Sequence, residues 1–190
     1  MSVMRKIVSG LFVSLDGVYS MPDSWMGRWF SPELGQAIGA LIGAQDAMLL
    51  GRVTYSEFAA HWPRQEGEMA DNMNGSVKYV VSQTIDSADW QNTTVINGDV
   101  TAQITALKQR DGKNIGMTGS GTLVGWLLRA GLLDELHLFV FPVVLSEGKH
   151  LFSGFSGSSG LSGQKEQVPL TLTGSQTYPG GVQHLTYAQA

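Results

Sequence analysis

The stretch from Ile115 to Leu128 constrains this chain more than any other. Ile115-Gly116-Met117-Thr118 is a short run that ends in Gly119-Ser120-Gly121, and a helical pattern starts at once, with Leu123, Trp126, Leu127 and Ala130 spaced i, i+3, i+4, i+7. A strand that turns through glycines into a helix aims backbone N–H groups, and the positive end of the helix dipole, at one spot. That spot suits a phosphate. The glycines also let an anion approach the backbone with no Cβ in the way. The spacing is not G-x-G-x-x-G, because the third glycine, Gly125, comes one residue late, and it is not a P-loop, because no Lys-Ser/Thr pair follows. An ordinary tight strand-to-helix turn fits the same residues, so a second element must separate the two readings.

That element is the buried strand Asp46-Ala47-Met48-Leu49-Leu50 followed by Gly51-Arg52-Val53-Thr54-Tyr55. Thr54 and Glu57 have capping-box spacing, so a helix is expected to begin near Thr54, with both residues as structural caps. Gly51, Arg52 and Val53 then sit where a strand hands over to a helix N-terminus, a second position that favours an anion. Arg52 brings a permanent charge and a planar fork suited to phosphate. The chain has only 12 Lys and Arg in all, and one stands at this turn.

Gly51-Arg52-Val53-Thr54-Tyr55 resembles the Gly-Arg-x-Thr-Trp/Tyr turn of dihydrofolate reductases. Lys78-Tyr79-Val80-Val81-Ser82-Gln83-Thr84 is similar to their next strand and its Ser-containing turn, and Ile115–Leu128 resembles their later Gly-Gly turn. The resemblance is closer to the reductase domain of riboflavin biosynthesis and its stand-alone relatives. Ser14-Leu15-Asp16-Gly17, Gly119-Ser120-Gly121-Thr122-Leu123 and the run Leu132–Leu145 carry it, in family order from about Arg5 to Tyr187. The resemblance implies a dihydrofolate reductase-like three-layer α/β/α fold, with a mostly parallel central sheet and a C-terminal antiparallel hairpin. It implies NADPH as cofactor, held by Gly51, Arg52, Val53, Thr54, Ser82, Gly119, Ser120, Gly121, Thr122 and Leu123. It also implies a homodimer through the strand expected at Glu135–Val144.

Composition agrees. The 190 residues, 43% hydrophobic and 15% charged, can bury one core as a single domain spanning residues 1–190. There is no His/Cys zinc-deaminase signature and no cysteine, so only the reductase half of the bifunctional riboflavin enzyme is matched. A net charge of −4 without a basic cluster argues against nucleic acid. No segment approaches the roughly 18 apolar residues of a membrane span, and Ile7–Val13 runs into a turn rather than a cleavage site, so the expected location is the cytoplasm.

The spacing predicts a helix opened by Ser31-Pro32-Glu33, with Leu34, Ile38, Leu41 and Ile42 on its apolar face, and a second from Val100 to Arg110 started by Asp99 and stopped by Gly112. Strands are expected at Lys6–Ser14, Ala47–Leu50, Tyr79–Ser82, Thr94–Ile96, Asn114–Thr118 and Glu135–Val144. A hairpin near Leu170–Thr173 and Val182–Tyr187 closes the domain. Ser153–Gly163 reads as a Gly/Ser-rich surface loop.

His137 reads as a satisfied sheet or interface histidine on the face of Glu135, Phe139 and Phe141. His61, His150 and His184 lack ligand spacing, so no metal site is expected. Met21–Phe30, with Trp25 and Trp29, reads as an aromatic loop that either packs or covers the nicotinamide and substrate. Catalytic candidates are Asp16, placed by the resemblance beside the cofactor where it can orient that loop, and Asp23. Neither Asp23 nor Glu33 copies the acid of true dihydrofolate reductases. Thr118 stands where riboflavin reductases often carry a substrate-contacting acid. Two readings follow: an NADPH-dependent reductase of a small pterin-, pyrimidine- or carbonyl-type substrate, of the dihydrofolate or 5-amino-6-(5-phosphoribosylamino)uracil reductase kind, or a nucleotide-binding module without catalysis.

Overall fold

In a computed structural model that describes residues 4–153 and 167–190, the chain forms one eight-stranded sheet with helices on both faces. The strands are β1 (Ile7–Ser14), β2 (Gln45–Gly51), β3 (Val77–Val81), β4 (Thr93–Ile96), β5 (Asn114–Met117), β6 (Glu135–Phe141), β7 (Leu170–Thr177) and β8 (Gln183–Gln189). Their order is β4-β3-β2-β5-β1-β6-β8-β7. The first six in that order run parallel, and β6-β8-β7 pair antiparallel. The expected three-layer architecture and terminal hairpin are both present.

Helices α1 (Pro32–Gly43), α2 (Arg52–His61), α3 (Glu68–Gly75), α4 (Val100–Lys108) and α5 (Gly121–Arg129) supply the outer layers. Strand alternation decides which side each covers. Ile7, Leu11, Ala47, Leu49 and Ile115 point to the core built with Ile104 and Leu107 of α4 and Leu123, Val124 and Leu127 of α5. The opposite face carries two clusters: Phe139 and Phe141 under Leu34 of α1, and Met48, Leu50 and Val80 under Tyr55 of α2. Ser31 caps α1 and Asp99 caps α4, each side chain accepting from the N–H three residues on, as their positions predicted.

Several local expectations change. α2 begins at Arg52, not near Thr54, because Gly51 stays extended (φ −76°, ψ 156°) to the last residue of β2 and the helix follows with no linker. Thr54 is therefore a buried residue of the first turn, not a cap. β6 stops at Phe141 rather than Val144, where Pro142 can donate no ladder hydrogen bond. β3 starts at Val77, so Lys78 lies inside the strand and is fully buried. Its Nζ donates to the carbonyls of Met73, Asn74 and Ser76 at 2.9, 3.0 and 2.7 Å, closing the C-terminus of α3, a helix that the sequence did not announce. Burial pulls that ammonium down to about 8. Of the expected Gly/Ser-rich loop, only Ser153 falls within the described residues.

Candidate functional site

The parallel strands end along one edge. β1 connects to β2 on one side of the sheet, while β5 connects to β6 across the other side of β1, so β1 and β5 flank the point where the winding reverses. Open α/β sheets bind ligands there, outside the carboxyl ends of the strands. Ser14-Leu15-Asp16 leave β1 at this edge, Thr118-Gly119-Ser120 leave β5, and Gly51-Arg52 leave β2.

Both glycine turns meet there. A Cβ on Gly51 would lie 2.8 Å from Ser120 Oγ, and one on Gly119 would lie 3.0 Å from Thr54 Oγ1. The starts of α2 and α5 are thus packed side by side, and a Cβ at either glycine would press on the hydroxyl of the other turn. Ser120 caps α5 by accepting from Leu123 N at 3.3 Å. α2 has no side-chain cap, since Gly51 has no side chain to offer, and among the described residues no side chain accepts from its first-turn N–H groups. Val53 and Thr122 are exposed on the two first turns, and Leu123 is buried beneath them.

Arg52 is exposed beside this pair. Gly51 is in register with Val81 of β3, so Ser82 emerges next to Arg52. Ser82 is buried, and its Oγ accepts from Thr84 N and Ile85 N at 3.1 and 3.2 Å. Its hydroxyl shapes the turn and leaves Gln83 and Thr84 as that turn's exposed side chains. The structure therefore brings together the Gly51–Thr54 turn, Ser82 and the Gly119–Leu123 turn.

Asp16 and Asp23 are held differently. Asp16 Oδ1 accepts from Ser14 Oγ at 2.7 Å and Leu145 N at 3.2 Å, and Oδ2 accepts from Ser146 N at 2.9 Å. Those bonds, the Ser14 hydroxyl foremost and then the Ser146 amide, hold the carboxyl at about 2. An anion with both oxygens engaged is suited to fixing a loop rather than giving up a proton. Asp23 is exposed in the short turn Pro22–Ser24.

The Met21–Phe30 segment packs edge-on against β6. Trp25 lies 5.4 Å and Trp29 6.3 Å from the Phe141 ring, near perpendicular in both cases, beside α1. Phe30 and Met21 stay exposed at 50% and 75%. Thr118 is exposed at the end of β5. His137 is satisfied, as read: Nε2 lies 3.3 Å from Glu135 Oε2 and Nδ1 lies 2.9 Å from His184 Nε2. Sequence reasoning missed Tyr19, whose ring covers Gly121 in a cleft shared with Thr122, Gly125, His150 and Phe152. No pattern around the Asp16-Gly17 turn signals that long-range contact. Among the described residues, no group of three or more His, Asp or Glu can hold a metal, and no helix is long and apolar enough to cross a membrane.

Residues 5–184 match the model of a family described as the RibD C-terminal domain. The uncharacterized protein YyaP of Bacillus subtilis (strain 168) is 27% identical over 188 residues, 96% of this chain and 94% of the relative. A putative riboflavin biosynthesis protein from Shewanella sp. PV-4 superposes with a TM-score of 0.74 at 20% identity, over 98% of this chain and 99% of that one. Dihydrofolate reductase from Enterococcus faecalis, solved with NADP(H), superposes at 0.62 and 14% identity, over 100% and 99%.

Proposed function

The chain belongs to the RibD C-terminal domain family, and from that premise we propose that it is an NADPH-dependent reductase, a single cytoplasmic domain that passes hydride to a small pterin-, pyrimidine- or carbonyl-type substrate. The supporting observation is the contact of Gly51 with Ser120 and of Gly119 with Thr54, which sets two helix N-termini side by side at the carboxyl edge of the sheet. Two adjacent helix starts offer donors and partial positive charge for two linked phosphates. Arg52, with the Ser82-Gln83-Thr84 turn beside it, offers a guanidinium and hydroxyls for a 2′-phosphate. The residues present fit a dinucleotide phosphate, and the Enterococcus relative of the same fold is a reductase solved with one.

When bound, reduced nicotinamide supplies the hydride. The protein's own part is to bind, orient and exclude water. Gly51–Thr54 and Gly119–Leu123 hold the pyrophosphate, Trp25 and Trp29 wall the substrate side, and Asp16 orients the loop at the edge of the site. Asp23, exposed in the turn Pro22–Ser24, is the acid we assign to proton supply. Consumption of NADPH with dihydrofolate, a riboflavin precursor and a panel of small carbonyls tests the reading. Turnover with any of them supports it, and tight NADPH binding without turnover would leave the nucleotide-binding module.

We also propose a homodimer through the β6-β8-β7 end. Phe139 and Phe141 are covered by their own chain, but the other face carries Leu138, Val140, Leu185 and Tyr187, only partly buried, and Leu172, 52% exposed. A solution mass of 20.4 kDa would refute it.

A further inference from the structure

We propose that Tyr19 is a latch on the phosphate turn: its ring occupies the face of Gly121 that a dinucleotide must take, and Asp16 fastens the strap that keeps it there. This rests on reading the two glycine turns as a dinucleotide site. Gly121 is the first residue of α5 and is buried. A Cβ there would lie 2.9 Å from Tyr19 Cζ and 3.1 Å from its hydroxyl oxygen, so the ring lies directly on the bare backbone of the helix start. A phosphate and an aromatic ring cannot share that surface.

The ring is placed by a ladder rather than by its own hydroxyl. Tyr19 N donates to Lys149 O at 3.0 Å, and Leu151 N donates to Gly17 O at 2.8 Å. Lys149 N donates to Ser20 Oγ at 2.9 Å, and Val18, only 1% exposed, bridges His150. The segments 14–20 and 145–151 are therefore zipped into one strap. Asp16 closes the end of the zipper through its three bonds from Ser14, Leu145 and Ser146. An Asn at 16 turns one acceptor oxygen into a donor, which in either orientation would face a backbone N–H, that of Leu145 or that of Ser146, and open that end.

The consequence is an affinity held below its intrinsic value. A ligand that binds only the open state has its apparent affinity reduced by the open fraction, and removing the latch restores the difference. Trp25 reports the strap, because its Nε1 donates to Ser20 O at 3.1 Å.

The test is a titration of NADPH into the full chain, followed by tryptophan emission, for the parent, Tyr19→Phe, Tyr19→Ala and Asp16→Asn, with Trp25→Phe as the control that the signal comes from Trp25. Tyr19→Ala is expected to bind about fivefold or more tighter, Tyr19→Phe to match the parent, and Asp16→Asn to gain less than Tyr19→Ala. Damage to a merely structural residue would not raise affinity. If the parent binds NADPH and Tyr19→Ala binds equally or more weakly, the ring is a wall of the site: the latch falls and the cofactor reading stands. Should Tyr19→Ala fail to fold, Asp16→Asn decides, tighter binding supporting the latch and unchanged or weaker binding overturning it. If no protein in the set binds NADPH, the cofactor reading itself is wrong and the latch falls with it.

Discussion

The two halves of the carboxyl edge are built from different materials. The side at β2 and β5 is backbone: two glycine turns in contact, two helix starts and one exposed arginine. The side at β1 and β6 is aromatic side chain, with Phe12, Trp25, Trp29 and Phe141 packed edge to face beside α1. Backbone donors recognise a phosphate without regard to the rest of a ligand. An aromatic wall takes its shape from every residue in it. The first half therefore suits an anion of the kind the proposed cofactor carries, while the second leaves the substrate open.

Damage to each half separately tells the two apart. Phe141→Lys puts an ammonium where the ring is fully buried against Trp25 and Trp29. That buried charge is expected to cost more than about 4 kcal/mol and leave the chain unfolded by circular dichroism. A folded monomer instead would make Phe141 an interface residue. Gly51→Val attacks the other half, driving a side chain into Ser120 Oγ at 2.8 Å. The turns should part and NADPH affinity fall by about a hundredfold, close to 2.7 kcal/mol, with far less loss of thermal stability than Phe141→Lys.

Arg52→Ala separates cofactors rather than halves. It is expected to cost NADPH about 1.5 kcal/mol, the low end for a bond to a charged group because Arg52 is exposed and screened, and NADH almost nothing. Calorimetric titration of both dinucleotides checks it, and equal losses would give Arg52 another task.

The smallest effect lies away from the edge. Burial, followed by the charge of His137, lowers His184 from 6.5 to about 4. A histidine whose folded value is depressed resists protonation, so its contribution is intact above about 6.5 and is lost as the pH falls toward 4. Thermal melts should show falling stability across that window, and His184→Gln should flatten the slope. A slope unchanged by the substitution would place the acid sensitivity elsewhere.

What could be read before the structure follows the range of the interactions. Ser31 and Asp99 cap helices through bonds three residues away, and both were legible. The glycine turns were legible for the same reason, since strand, glycine and helix follow one another in the chain. Lys78 was not, because a lysine in a strand reads as solvent-facing and its three carbonyl partners depend on how α3 ends. The start of α2 was misplaced by two residues because Thr54 and Glu57 imitate a capping box, while Thr54 is in fact packed against Gly119. Tyr19 on Gly121 joins positions a hundred residues apart in sequence, and no local pattern records it.

In the function we propose, the two glycine turns together seat the phosphates of NADPH. Phosphorus NMR of NADPH titrated with the protein and with Gly51→Val tests it most directly. The account predicts that the pyrophosphate and 2′-phosphate resonances shift and broaden with the parent protein and stay at their free positions with a folded Gly51→Val. Pyrophosphate resonances that move equally with both proteins, or with neither, would contradict it.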